Sequence, residues 1–268
     1  MFSKQTLREL SSQTGLSKLT LKTNFEKLTL PHKKHHPRSV HVLADTTFFG
    51  SRINGKQWGV ILFRDALSGE DLWWRFVEAE RLSDYQLGLE QLTQLGYTVT
   101  SITCDGLRGL TQLLSHKIPV QLCQFHQKQT VRRYITQNPK LKAGKELKEL
   151  VSMLDRLSYQ EFRNYLQAYI NYYRQFLNER TYDPVTQQTH FTHQRLRSAI
   201  RSLVTNLEYL FTYEQYPQLN ISPTNNAIES HFSHIKTLVR VHRGLKVEMQ
   251  QKLVTTILLN SSIVKEIP

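Results

Sequence analysis

Between Val40 and Cys123 the apolar residues fall into short β-branched and aromatic runs, separated by polar turns. Val40–Ala44 leads into Asp45-Thr46-Thr47-Phe48-Phe49, Gln57–Asp65 carries WGVILF, and Asp71–Val77 carries LWWRFV. Ala66–Glu70, with Ser68-Gly69, is a tight turn between the last two. Consecutive strands with short polar connections predict an antiparallel meander. The period then lengthens. Tyr85, Leu89, Leu92 and Leu95 are spaced for a helix that Ser83 caps and Gly96 closes. Tyr97–Cys104 reads as a fourth strand, Leu107–Ser115 as a second helix and Val120–Cys123 as a fifth strand. Strand–helix alternation of this kind implies parallel pairing. The order β-β-β-α-β-α-β lets the first and fourth strands lie side by side. Asp45 on the first and Asp105 at the end of the fourth, about 60 residues apart, would then share one cleft.

Residues 127–220 read as helical and polar, with Pro139, Pro184 and Pro217 as punctuation. Phe162, Tyr165, Tyr169, Tyr172 and Phe176 form a stripe at helical spacing. That stripe is core or helix–helix packing first and base stacking second. Lys246–Val264 predicts a closing helix with Val247, Leu253, Ile257 and Leu258 apolar. At the other end, residues 4–28 have helix-turn-helix spacing: Leu7 and Leu10 face inward, Gly15 makes the turn, Ser17 caps, and Leu21 and Phe25 follow at i, i+4. Ser17, Lys18, Thr20, Lys22 and Thr23 suit a DNA groove, although a plain helical hairpin has the same pattern. His32–Arg38, HKKHHPR, reads as a basic linker. His32, His35 and His36 could hold a metal, but without cysteine partners a phosphate-contacting or solvated linker is the simpler reading.

Composition narrows the partners. Lys and Arg number 35 against 22 Asp and Glu, a formal charge of +13 that points to an acidic polymer. Nucleic acid fits better than a membrane surface, because no segment is a basic amphipathic anchor and no run of about 18 apolar residues occurs. Two cysteines, Cys104 and Cys123, exclude a disulfide framework and a four-thiolate zinc site. The N-terminal MFSKQTLREL lacks an apolar signal core, so a cytoplasmic location is expected.

The candidate chemistry centres on Ser222–Leu245, SPTNNAIESHFSHIKTLVRVHRGL. Asn225 and Asn226 could cap a helix that carries Glu229 into the basic run Lys236, Arg240, His242, Arg243 and Lys246. An ordinary solvated helix would look similar. With Asp45 and Asp105, however, Glu229 completes a carboxylate trio of the kind that holds two Mg²⁺ ions for phosphoryl transfer.

The neighbourhoods of these acids resemble those of the DDE transposases of bacterial insertion sequences, in particular the Mutator-like group that includes zinc-ribbon variants. The resembling segments are ADTTFFG (Ala44–Gly50), CDGLRGL (Cys104–Leu110), LCQFHQKQTVRRYIT (Leu122–Thr136) and TNNAIESHFSHIKTLVRVHRGL (Thr224–Leu245). The resemblance implies an α/β, RNase H-like mixed sheet over 40–129 and 221–268, an all-α insertion over 130–220, a helix-turn-helix at 1–30 and a basic linker at 31–39. It implies Asp45, Asp105 and Glu229 as catalytic metal ligands for Mg²⁺, with Mn²⁺ as substitute. Cys123-Gln124-Phe125-His126 matches the family's Cys-x-x-His signature, which places Cys123 and His126 as active-site support or DNA contacts. By itself that pair would read as core packing. Lys18, Lys22, Arg132, Arg133, Lys236, Arg240 and Arg243 are the implied DNA-binding residues, with Arg174, Arg195, Arg197 and Arg201 as further phosphate contacts. The implied partners are double-stranded DNA at the element's terminal inverted repeats, target DNA, and further copies of the chain. Ribbon-bearing relatives begin with a Cys-rich module that this sequence does not show.

Overall fold

The structure is a computed structural model that describes residues 5–51 and 57–260. Two compact units divide the chain, Met1–Thr100 with Asn225–Pro268, and Ser101–Thr224. The first opens with α1 (Leu7–Thr14) and α2 (Lys18–Lys27). Thr6 and Glu9 close a capping box on α1, and Gly15 ends it at φ 70°, where a side chain is disfavoured. Ser17 caps α2 by accepting a hydrogen bond from the Thr20 amide. The spacing predicted the Gly15 turn and the Ser17 cap.

Three strands follow: β1 (Ser39–Phe49), β2 (Trp58–Asp65) and β3 (Asp71–Val77). They pair antiparallel, as the meander predicts, with Asp45 opposite Leu62 and Leu62 opposite Trp74. α3 (Leu82–Gln94) begins one residue before the expected cap. Arg81 occupies the cap position with no side-chain hydrogen bond, and Ser83 lies inside the first turn. Gly88 in mid-helix is a packing requirement: a Cβ there would come within 2.4 Å of the Phe63 ring. β4 (Thr98–Cys104) starts beside β1, with the Thr98 amide donating to the Arg38 carbonyl at 3.0 Å. The sheet has five strands in the order β3-β2-β1-β4-β5, where β5 (Val120–Leu122) pairs parallel to β4. This mixed α/β topology is compatible with an RNase H-like fold, and it makes β1 and β4 neighbours as expected.

The second unit holds α4 (Leu110–Leu114), β5, α5 (Gln124–Ile135), α6 (Lys142–Ser152), α7 (Tyr159–Tyr172) and α8 (Arg174–Asn178). β6 (Arg180–Asp183), β7 (Gln188–Phe191), α9 (Gln194–Asn206) and α10 (Thr212–Gln215) complete it. α4 is shorter than predicted because Gly109, at φ 90°, delays its start. The stretch expected to be all-α contains an antiparallel hairpin, β6–β7. Its turn explains it: Asp183 accepts hydrogen bonds from the Val185 amide at 2.9 Å and the Thr186 hydroxyl at 2.9 Å, and Pro184 blocks helix propagation. The aromatic stripe is also corrected. Phe162, Leu166, Tyr169 and Tyr173 are buried, whereas Tyr165 and Tyr172 stay 55% and 72% exposed on the flank of α7.

α11 (Asn226–Val241) and α12 (Val247–Asn260) return to the first unit, and the predicted positions 261–264 of the last helix lie outside the described residues. Ile228, Phe232, Ile235, Leu238 and Val239 form the buried face of α11. They join Leu43, Val60 and Leu62 of the sheet and Leu253, Ile257 and Leu258 of α12 in one apolar core.

The basic linker is fastened rather than free. Lys33 pairs with buried Glu70 at 2.7 Å, and Arg38 donates to Asp65, Ser68 and Glu70 at 2.7, 3.0 and 2.9 Å. His35 meets the Tyr97 ring edge-on, and burial, then nearby Lys33, push its pKa down. A histidine metal cluster is not formed there among the described residues. Burial alone would raise the Asp65 pKa, but hydrogen bonds from Ser68, Arg38 and the Leu67 amide hold it below the ordinary 3.8. A depressed folded-state pKa stabilises the fold above the ordinary value and ceases to do so as the pH falls through the folded value. Arg38→Gln is therefore expected to cost about 1–3 kcal/mol near neutrality and to flatten the acid-side loss of stability below about pH 4. Urea unfolding across pH checks this. Unchanged midpoints at both ends of the range would contradict it.

Candidate metal and nucleic-acid site

Asp45 lies on β1 just after Ala44, and both are buried, with Asp45 only 6% exposed. Its Oδ1 accepts the Thr46 amide hydrogen at 2.7 Å. Glu229 sits in the first turn of α11, where the partial positive charge of the helix N-terminus favours a carboxylate. Asn225 occupies the N-cap position, but its side chain does not cap as the sequence suggests. It is fully buried and turned to the sheet, where Nδ2 donates to the Ala44 carbonyl at 3.2 Å. Its own carbonyl accepts the Glu229 amide hydrogen at 3.0 Å. One residue thus ties the turn that carries Glu229 to the backbone next to Asp45. Carboxylate oxygens of Asp45 and Glu229 approach within 4.8 Å.

A second anchor holds α11. His231 Nε2 lies 2.9 Å from Asp71 Oδ2 on β3, and Arg64 bonds the other oxygen of Asp71. Asp71 is fully buried, so both partners answer a charge that water cannot reach. Nothing in the residue pattern marks His231 as an anchor, because its partner is 160 positions away.

Asp105 belongs to the second unit, directly after β4, with its side chain 39% exposed and Oδ1 accepting the Gly106 amide hydrogen at 2.6 Å. His126, in the first turn of α5, brings Nδ1 to 4.0 Å from Asp105 Oδ1. That distance is an ion-pair separation for an imidazolium and too long for a hydrogen bond. Cys123 is the buried N-cap of α5, and its amide donates to the Cys104 carbonyl at 2.9 Å. These residues border a small cavity of about 60 Å³.

The expected basic residues divide. Lys236, Arg240, Arg243 and Lys246 are exposed on and after α11, while His242 is buried and leaves the basic surface. Lys18 is exposed and Lys22 partly so on α2. In the second unit Arg133 and Arg201 line a groove of about 600 Å³ with Arg108, and no acid lines it. Arg108 was missed in the sequence; its place between Asp105-Gly106 and Gly109 is the only local signal. Arg132 is partly buried, and Arg174 is exposed. Arg197 is structural: it donates to the Leu177 carbonyl and Asn178, and its guanidinium covers the Phe191 ring at 3.7 Å.

No protein-family model matches the sequence, and no curated protein matches it. Among solved structures, the chain is similar to a chain of the cryoEM structure of the simian T-cell lymphotropic virus intasome in complex with PP2A regulatory subunit B56 gamma. The likeness has 13% identity and a TM-score of 0.27, covers 55% of this chain, and spans 64% of the other, under two thirds of its length. A TM-score that low leaves the reading of the site to its own residues. No helix among the described residues is long and apolar enough to cross a membrane.

Removing either anchor has a readable cost. Asn225→Ala and His231→Ala should each lower stability by about 1–3 kcal/mol, the scale for stranding a buried polar partner. Urea midpoints within experimental error of the parent would show that neither contact holds α11.

Proposed function

We propose that the protein is a DDE-type transposase that cuts the ends of an insertion sequence and joins them to target DNA. The observation that carries this reading is the close approach of the Asp45 and Glu229 carboxylates, with α11 fastened to β1 beside them. Asp105 completes the proposed set, and the three acids offer the hard oxygen ligands that suit Mg²⁺ or Mn²⁺. A divalent ion held by these residues would supply Lewis acidity and lower the pKa of a nearby water. The protein's own part is to fix the carboxylates before substrate arrives. Asn225 and His231 do so through the backbone of β1 and the carboxylate of Asp71.

The reaction has two in-line displacements. Water attacks the phosphodiester at the element's end, leaving a 5′-phosphate and releasing a 3′-hydroxyl. That hydroxyl then attacks a target phosphodiester, joins to the target's 5′-phosphate and expels a target 3′-hydroxyl. Lys236 and Arg240, exposed on the helix that bears Glu229, and Arg243 just after it, are placed to meet phosphates near the cut. Arg108, Arg133 and Arg201 offer a second phosphate track. Lys18 and Lys22 on α2 would contact the terminal inverted repeat, with α1–α2 as the helix-turn-helix. His126, in the first turn of α5, supports Asp105 at ion-pair distance, and Cys123, the N-cap, fastens the end of β4 through the Cys104 carbonyl. Two ends must be held together, so the active species is at least a dimer on DNA.

Cleavage of an end-containing duplex in Mg²⁺ or Mn²⁺ tests the proposal. Asp45→Asn, Asp105→Asn and Glu229→Gln should each slow cleavage by roughly 10²-fold or more, the scale for losing one preorganised electrostatic group, while duplex binding persists. Parent-like cleavage by any of the three would remove that residue from the site. Cleavage without strand joining would leave an RNase H-like nuclease.

A further inference from the structure

The second unit contains a cleft of about 780 Å³ that the proposed cleavage chemistry does not use. Its size lies within the roughly 300–1,000 Å³ of clefts that hold small ligands. One wall is the end of α5 with its connection to α6, and the other runs from β7 into the start of α9. Lys140, His190, His193 and Arg195 are among the lining residues, and no Asp or Glu is. Such a lining selects an anion.

The cleft is also built in advance. Arg195 Nη2 donates to the Arg133 carbonyl at 2.8 Å, which holds the guanidinium at the rim. His193 stacks on Phe176 at 3.7 Å, and its Nε2 lies 2.9 Å from Glu179. Thr136, in the opposite wall, has φ 70° and ψ 169°, a backbone conformation ordinarily left to glycine. Strain of this kind persists where the surroundings fix the chain. Tyr134 and Leu141 present exposed apolar surface, 37% and 51%, in that wall. A flat apolar group beside an anion is the chemistry of a nucleotide.

We infer that this cleft binds one nucleotide unit, with the phosphate at Arg195 and Lys140 and the base against Tyr134 and Leu141. The inference does not rest on the carboxylate site. The unit has two possible sources, a free mononucleotide or an unpaired nucleotide at a strand end.

Fluorescence anisotropy of etheno-AMP with the full chain tests it, with AMP, adenosine, inorganic phosphate, a blunt duplex and a duplex with a one-nucleotide 3′ overhang as competitors. Lys140→Met and Leu141→Glu change exposed side chains that make no hydrogen bond to the rest of the chain among the described residues, so thermal melts should match the parent. Each should weaken the nucleotide by about tenfold, as loss of one charge-assisted contact or introduction of a repelling carboxylate does. Competition by AMP assigns the site to free nucleotide. Competition by the overhang duplex well above the blunt one assigns it to a strand end, and either result supports the inference. It is overturned if etheno-AMP does not bind, if phosphate alone competes as well as AMP, or if both variants bind like the parent.

Discussion

The seam between α11 and β1 is the constraint on which the first unit depends. Helix periodicity places Ile228, Phe232, Ile235, Leu238 and Val239 on one face, and that face covers the sheet. Burial of these side chains drives the association but does not set its register, because apolar contact is non-directional. Register comes from polar contacts inside the seam. The Asn225 carboxamide reaches the Ala44 carbonyl, and the His231 imidazole reaches Asp71. A slip of the helix by one residue would strand both in a core without water. The positions of Asp45 and Glu229 are consequences of that register.

Charge is sorted in the same way. The +13 surplus is carried by exposed lysines and arginines, whereas several acids are buried and paired. Asp65, Glu70 and Asp71 answer Arg38, Lys33, Arg64 and His231 within the first unit. These internal pairs contribute specificity of arrangement more than net stability. They also remove acids from the surface, while Lys236, Arg240 and Arg243 stay exposed on and just after α11, which strengthens the field a polyanion would meet.

The order of the sheet was readable because period-2 runs and their turns are local signals, and the strand–helix alternation limits the pairings. Ser17 and Gly15 were readable for the same reason: caps and αL turns are decided within a few residues. The hairpin β6–β7 was not, since its strands are short and polar and only the Asp183-Pro184 turn marks them. Asn225 had the residue type of a cap but was claimed by a carbonyl 181 positions away, which no local rule foresees. His242 belonged to the basic run and Arg197 to the expected phosphate contacts, yet His242 is buried and Arg197 is taken up by a backbone carbonyl and Asn178. The pairing of Asp45 with Glu229 was approached from the sequence through resemblance, not through spacing. The cleft beside Thr136 had no signature at all, because its walls come from separate segments.

The central claim is that Asp45 and Glu229 are ligands of one divalent ion. Anomalous diffraction from crystals soaked in Mn²⁺ tests it without any DNA. The account predicts a manganese peak between these two carboxylates that disappears in Glu229→Gln crystals of the same form. A peak elsewhere with none at this pair, or a peak unchanged in the variant, would contradict it.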